Sequence, residues 1–191
     1  MRDLGATILF ETFRRMFENQ GFNVVIVPWD SLDHRYAEIF LSDRLVKVEE
    51  TSVSSMMPTL LHEYMHLKTF ADFAISREER PQLWEVFAEF ATVAVLESLG
   101  WSYEAEAIAY LQERLGGLLT AQLIRELREE YAEDTLGVIN DVLGEIFSTI
   151  DDARERISGG DLWLEKLFLS LSPMKASREG SPTPKVGRSC A

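Results

Sequence analysis

The chain has 191 residues, 46% hydrophobic and 27% charged, the composition of an ordinary globular domain rather than a disordered chain. Its net charge of −13 argues against nucleic acid as a partner, because phosphate binding needs a basic surface. A single cysteine, Cys190, excludes an internal disulfide framework and fits a cytoplasmic protein. No apolar run reaches the roughly 18 residues of a membrane span, so no membrane partner is expected.

In chain order, Leu4, Ile8, Phe10, Phe13 and Phe17 keep helical spacing and predict an amphipathic helix over 4–19, stopped at Gly21. The β-branched run at 22–28 reads as a buried strand. Residues 38–41 and 45–48 flank Ser42-Asp43-Arg44 as a hairpin, after a polar segment in which His34 reads as an exposed loop residue. From residue 52 the pattern turns helical. One helix, capped by Ser54 or Ser55 and with Pro58 in its first turn, is expected to run through His62 to about Ile75. Pro81 starts the next, which carries Glu85 and ends before Gly100. Further helices are expected at 102–115, 119–132, 134–150 and 160–171. The fold class is therefore α+β. A sheet of about three strands packs on the two central helices, and a helical C-terminal part follows. Residues 1–172 form one domain and 173–191 a flexible tail rich in Ser, Pro and Gly. That tail has four basic residues against one acid, a net of +3, on a body of −16.

Two of the three histidines stand in His62-Glu63-Tyr64-Met65-His66. Four residues apart on a helix, His62 and His66 project from one face, where two imidazoles can occupy two corners of a tetrahedral zinc site. Glu63 points close to the same side and can accept a proton from water acidified by the metal. The flanking Leu60, Leu61, Tyr64, Met65 and Leu67 place the motif on a mostly buried helix, where polar groups need a partner such as a metal.

A third ligand is required, and two carboxylates compete. Asp72 lies six residues after His66, but Leu67-Lys68-Thr69-Phe70-Ala71 continues the helix and would carry it about 9 Å along the axis. Glu85, separated from His66 by 18 residues, leaves room for a loop and a returning helix.

The stretch Leu83-Trp84-Glu85-Val86-Phe87-Ala88-Glu89-Phe90, at this distance from the histidine motif, resembles the gluzincin metallopeptidases, above all their aminopeptidase branch. The resemblance covers about residues 58–95. It implies that His62, His66 and Glu85 bind zinc and that Glu63 is the general base. Glu89 would be a carboxylate that orients a ligand histidine. No GxMEN segment precedes the motif, and Trp84-Glu85-Val86 replaces the Asn-Glu-Gly of that branch, so exopeptidase specificity is not implied. In its short length the chain is more similar to the minigluzincins, which implies a latent form.

Gluzincins supply a downstream His or Tyr to the oxyanion. No histidine follows His66, which leaves Tyr103, Tyr110 and Tyr131; Tyr131, after Glu129-Glu130 near a helix end, is the first candidate. A peptide or protein substrate would lie extended on an edge strand, supplied by 38–43 or 45–50. The expected activity is endopeptidase. The alternatives are a latent or regulatory zinc protein, restrained in cis by the basic tail, and a helical interaction protein with a vestigial site. The Cys190 thiolate or the carboxylate of Ala191 is a further candidate zinc ligand from that tail.

Overall fold

The computed structural model describes residues 2–29, 31–32, 36–69 and 79–158. His34, Asp72, the helix expected at 160–171 and the tail from 173 lie outside the described residues. So does the domain boundary expected at 172. The chain divides into two compact units, 1–151 and 152–191; apart from the end of the last helix, everything below concerns the first.

The order of elements is α1 (Arg2–Asn19), β1 (Asn23–Val27), β2 (Ala37–Phe40), β3 (Leu45–Glu49), α2 (Val53–Thr69), α3 (Pro81–Ser98), α4 (Glu104–Leu115), α5 (Gly117–Glu130) and α6 (Ala132–Ser158). This is the expected α+β layout of a small three-stranded sheet with helices. The sheet order is β1-β3-β2. β2 and β3 form the expected antiparallel hairpin, with Phe40 opposite Leu45. Its turn places Arg44 at φ 49, a left-handed conformation that costs a non-glycine residue some strain.

β1 runs parallel to β3 and is an edge strand, which corrects the expectation of a buried one. Val25 and Ile26 are exposed, and β1 pairs on one side only. The central position falls to β3, whose Val46 and Val48 are fully buried. The second edge is β2, so of the two segments expected to offer an edge only the first does so.

The core lies around α2. α1 packs against it on one side, β2 and β3 on another, and α3 on a third. Phe17 of α1 meets Tyr64 of α2 edge-on, at 5.0 Å between ring centroids. The buried Tyr64 phenol donates to Glu145 of α6, and Lys68 reaches the same carboxylate at 2.6 Å. The rear face of α2 is thereby fixed at several points, as a helix carrying a metal site needs.

Helix ends follow their local chemistry. Ser52, rather than Ser54 or Ser55, caps α2: its Oγ accepts from the Ser55 N–H at 3.3 Å and its carbonyl from Met56 at 2.9 Å. Pro58 consequently falls in the second turn, not the first. The Ser54 carbonyl loses its partner four residues on, a small cost because Ser54 is exposed to water. Pro81 opens α3 as expected. Gly100, at φ 78, closes that helix with its N–H on the Glu97 carbonyl. α6 runs past the expected end at 150 to Ser158, because the charged stretch 151–156 contains no helix breaker.

Candidate metal centre

α2 brings His62 and His66 to the bottom of an open cleft of about 1400 Å³, and α3 brings Glu85 and Glu89 to the same place. The two imidazoles stand edge to face, 4.6 Å between centroids, as residues one turn apart do. His66 is stacked flat on Trp84 at 3.7 Å, which fixes its ring plane. The His62 Nε2 lies 3.5 Å from Glu85 Oε1, and the His66 Nε2 lies 3.6 Å from Glu85 Oε2.

These spacings test whether the group fits a metal. Two donors each about 2.05 Å from a tetrahedral ion stand roughly 3.3 Å apart. One donor atom from each of His62, His66 and Glu85 lies within 4.8 Å of the others, so the three could hold a metal ion. Both histidines are buried and Glu85 is nearly so. Among the described residues no other such group of three occurs.

The other face of His62 is occupied. Its Nδ1 is 2.6 Å from Glu89 Oε2, a buried charge-assisted contact that fixes the ring and leaves Nε2 for the centre. The role that the resemblance gave Glu89 is thus matched by its position. Burial opposes a charged His62, but the carboxylates of Glu85 and Glu89 outweigh it and push the imidazole up to about 10. Burial likewise opposes a charged Glu85, and the two histidines reverse this, holding its carboxyl well below the usual range. Two carboxylates converging on these imidazoles favour a cation at the centre. Removing that support has a measurable consequence. Glu89→Ala is expected to weaken metal binding about 10- to 100-fold while the fold persists, as read by competition with a chromogenic chelator and by circular dichroism. Unchanged affinity would deny Glu89 that role.

Glu63, partly exposed, lines the cleft beside the histidines. Tyr131 does not line it. It caps α5, with its N–H on the Leu127 carbonyl, and its side chain interacts with Arg80, the residue ahead of α3. Besides Tyr36, just ahead of β2, the cleft is lined by Tyr103 and Tyr110, both presented by the α4 region. The Tyr110 hydroxyl donates to Glu85 Oε1 at 2.7 Å and accepts from Arg114 at 2.9 Å. Burial and the Glu85 charge raise its pKa, so it remains a donor at neutral pH. Burial and the Glu89 charge do the same for Tyr103. Sequence reasoning named Glu85 and gave Tyr110 only as an alternative to Tyr131; it missed Arg114 and the arrangement Glu85–Tyr110–Arg114. Its only signal is the spacing of Tyr110 and Arg114, four apart on one predicted helix, which does not say what that helix faces.

β2 forms another side of the cleft, with Ala37, Glu38 and Ile39 among the lining residues. No described helix is long and apolar enough to cross a membrane.

Fold and site together define an α+β protein with a buried His/His/Glu group, able to hold a metal ion, at the base of an open cleft. No family model, curated protein or solved structure matches the chain.

Proposed function

We propose that this protein is a zinc-dependent peptidase of the gluzincin type, most simply an endopeptidase. The observation that carries the reading is the convergence of His62, His66 and Glu85 beside Glu63 in a cleft flanked by an edge strand. Two histidines and one glutamate are a donor set of catalytic zinc, which keeps a fourth position open. A purely structural site would use four protein ligands and bury them all. When bound, zinc supplies Lewis acidity: it acidifies water and polarises a carbonyl.

The chain's own residues do the rest. The edge of β2 offers unpaired backbone groups to an extended peptide, which hydrogen bonding along the strand would hold across the cleft. Glu63 takes a proton from the attacking water and returns it to the leaving amine. Tyr110 takes the role expected of Tyr131: its phenol, which donates to Glu85 in the free protein, switches its one proton to the oxygen on which negative charge develops. Glu89 holds His62 in one tautomer and Trp84 holds the plane of His66.

The test uses full-length protein purified without a histidine tag. Elemental analysis is expected to give one zinc per chain, and a denatured-protein digest to show cleavage products by mass spectrometry. Chelation should abolish cleavage and added zinc should restore it. Protein that neither contains nor takes up zinc would overturn the reading. So would zinc-loaded protein that cleaves no peptide in a diverse mixture.

A further inference from the structure

The Tyr110 hydroxyl stands between an acceptor and a donor. It donates to Glu85 Oε1 at 2.7 Å and accepts from Nη1 of Arg114 at 2.9 Å. The guanidinium also lies over the Tyr110 ring, 5.7 Å from its centroid, and its Nε is 3.9 Å from Glu85 Oε1. Tyr110 and Arg114 are four residues apart, so one face of α4 presents both. The Tyr110 ring meets the His62 ring edge to face, 6.3 Å between centroids, which seats the phenol beside the centre. Among the described residues Arg114 makes no other hydrogen bond or ion pair.

A phenol has one proton to give. When it turns to the substrate, the phenol loses the carboxylate that fixed its direction and Glu85 Oε1 loses a donor. Arg114 answers both losses. Its hydrogen bond occupies a lone pair of the phenol oxygen, which holds that oxygen in place and leaves the O–H directed away from the guanidinium. Donation into the oxygen also polarises the O–H and strengthens it as a donor. Apart from the two histidines, Arg114 is the one cation within ion-pair distance of Glu85 among the described residues.

Magnitudes separate these effects. The Arg114 side chain is 55% exposed and its approach to Glu85 is long, so that ion pair by itself contributes little. A cation in the last turn of α4 also suits the helix end, but that benefit does not depend on Tyr110. The charge-assisted hydrogen bond to the phenol is the strong contact of the three. We infer that Arg114 is a positioning residue: it acts through Tyr110, holding the phenol oxygen while the O–H turns from Glu85 to the developing oxyanion. The inference rests on the peptidase reading. No bond to hydrogen breaks in this step; only the acceptor of the phenol O–H changes.

The experiment measures binding of a phosphinic peptide to the zinc-loaded full chain, its tetrahedral phosphinate oxygen standing in for the oxyanion. Calorimetry is run on wild type, Arg114→Gln, Tyr110→Phe and the double variant, with zinc content and thermal unfolding checked on each. Arg114→Gln should weaken binding about tenfold, the size of one lost charge-assisted hydrogen bond. Tyr110→Phe should weaken it at least as much. The double variant should bind no more weakly than Tyr110→Phe alone, because Arg114 then has no hydroxyl to hold. On a cleavable peptide, Arg114→Gln should lower kcat by a similar factor with KM nearly unchanged. Any of four results would overturn the inference: no loss in Arg114→Gln, the same loss in both backgrounds, loss of zinc from Arg114→Gln, or no binding of the phosphinic peptide by wild type. Equal losses alongside peptide cleavage by wild type would remove the inference and keep the peptidase reading. Coupled losses in a protein that cleaves no peptide would remove the peptidase reading and keep the positioning of Tyr110.

Discussion

Glu63→Gln is expected to leave a folded protein with its full complement of metal whose peptide hydrolysis falls about 100-fold or more. Glu63 lines the cleft next to both histidines but is not one of the three residues whose donor atoms converge. Glutamine keeps its shape and removes only the ability to accept a proton, so the loss falls on kcat while peptide binding persists. The measurement is kcat and KM on one cleavable peptide, with metal content determined on the same sample. Wild-type turnover at full zinc occupancy would exclude Glu63 as the base. Loss of zinc along with activity would instead make it a ligand.

Glu85→Ala should produce the larger change in metal content. It removes one of three donors, the carboxylate that faces the Nε2 atoms of His62 and His66. It also strips the Tyr110 hydroxyl of its acceptor. Zinc affinity is expected to fall beyond the about 10- to 100-fold predicted for Glu89→Ala, since a ligand outweighs the residue that orients one. Competition titration against a chelator gives the number, and chemical denaturation in the presence of excess chelator separates metal loss from unfolding. Retention of zinc by Glu85→Ala, with loss in Asp72→Ala, would move the third ligand to Asp72.

The two changes probe different links of the same chain of cause. Glu85 sits one turn into α3 because Pro81 starts that helix. Arg80 is tied to Glu126 of α5, with one of its two contacts at 2.8 Å, which anchors the start of α3 against the next layer. The position of the third ligand therefore depends on the proline that starts the helix and on an ion pair outside the cleft. Glu63 depends only on the register of α2, which the motif itself fixes.

That contrast explains how much could be read in advance. The pairing of His62 with His66 and the adjacency of Glu63 are local: a helix of 3.6 residues per turn dictates them once the helix forms. The helical pattern from residue 52 and the hairpin at 38–48 were legible for the same reason, since hydrophobic periodicity and turn residues act over short range. Expectations failed where the answer depended on what lay across a gap. The run at 22–28 is as apolar as a central strand, yet β1 is an edge, because the order of strands in a sheet is set by long-range pairing and not by the apolarity of one run. Tyr131 stands near a helix end as supposed, but α5 directs it to Arg80, while α4 brings Tyr110 into the cleft.

The sequence by itself determined the donors: two imidazoles one turn apart, a carboxylate beside them and a second pair, Glu85 and Glu89, one turn apart on another helix. Only the tertiary structure decided that these two helices pack so that Glu85 faces both Nε2 atoms and Glu89 closes on Nδ1 of His62. It alone decided that Tyr110 and Arg114 join Glu85, and that β2 rather than β3 borders the cleft. The physical reason is range. Backbone geometry fixes the spacing of side chains within an element, whereas the angle and register between elements are set by the packing of a core drawn from the whole chain.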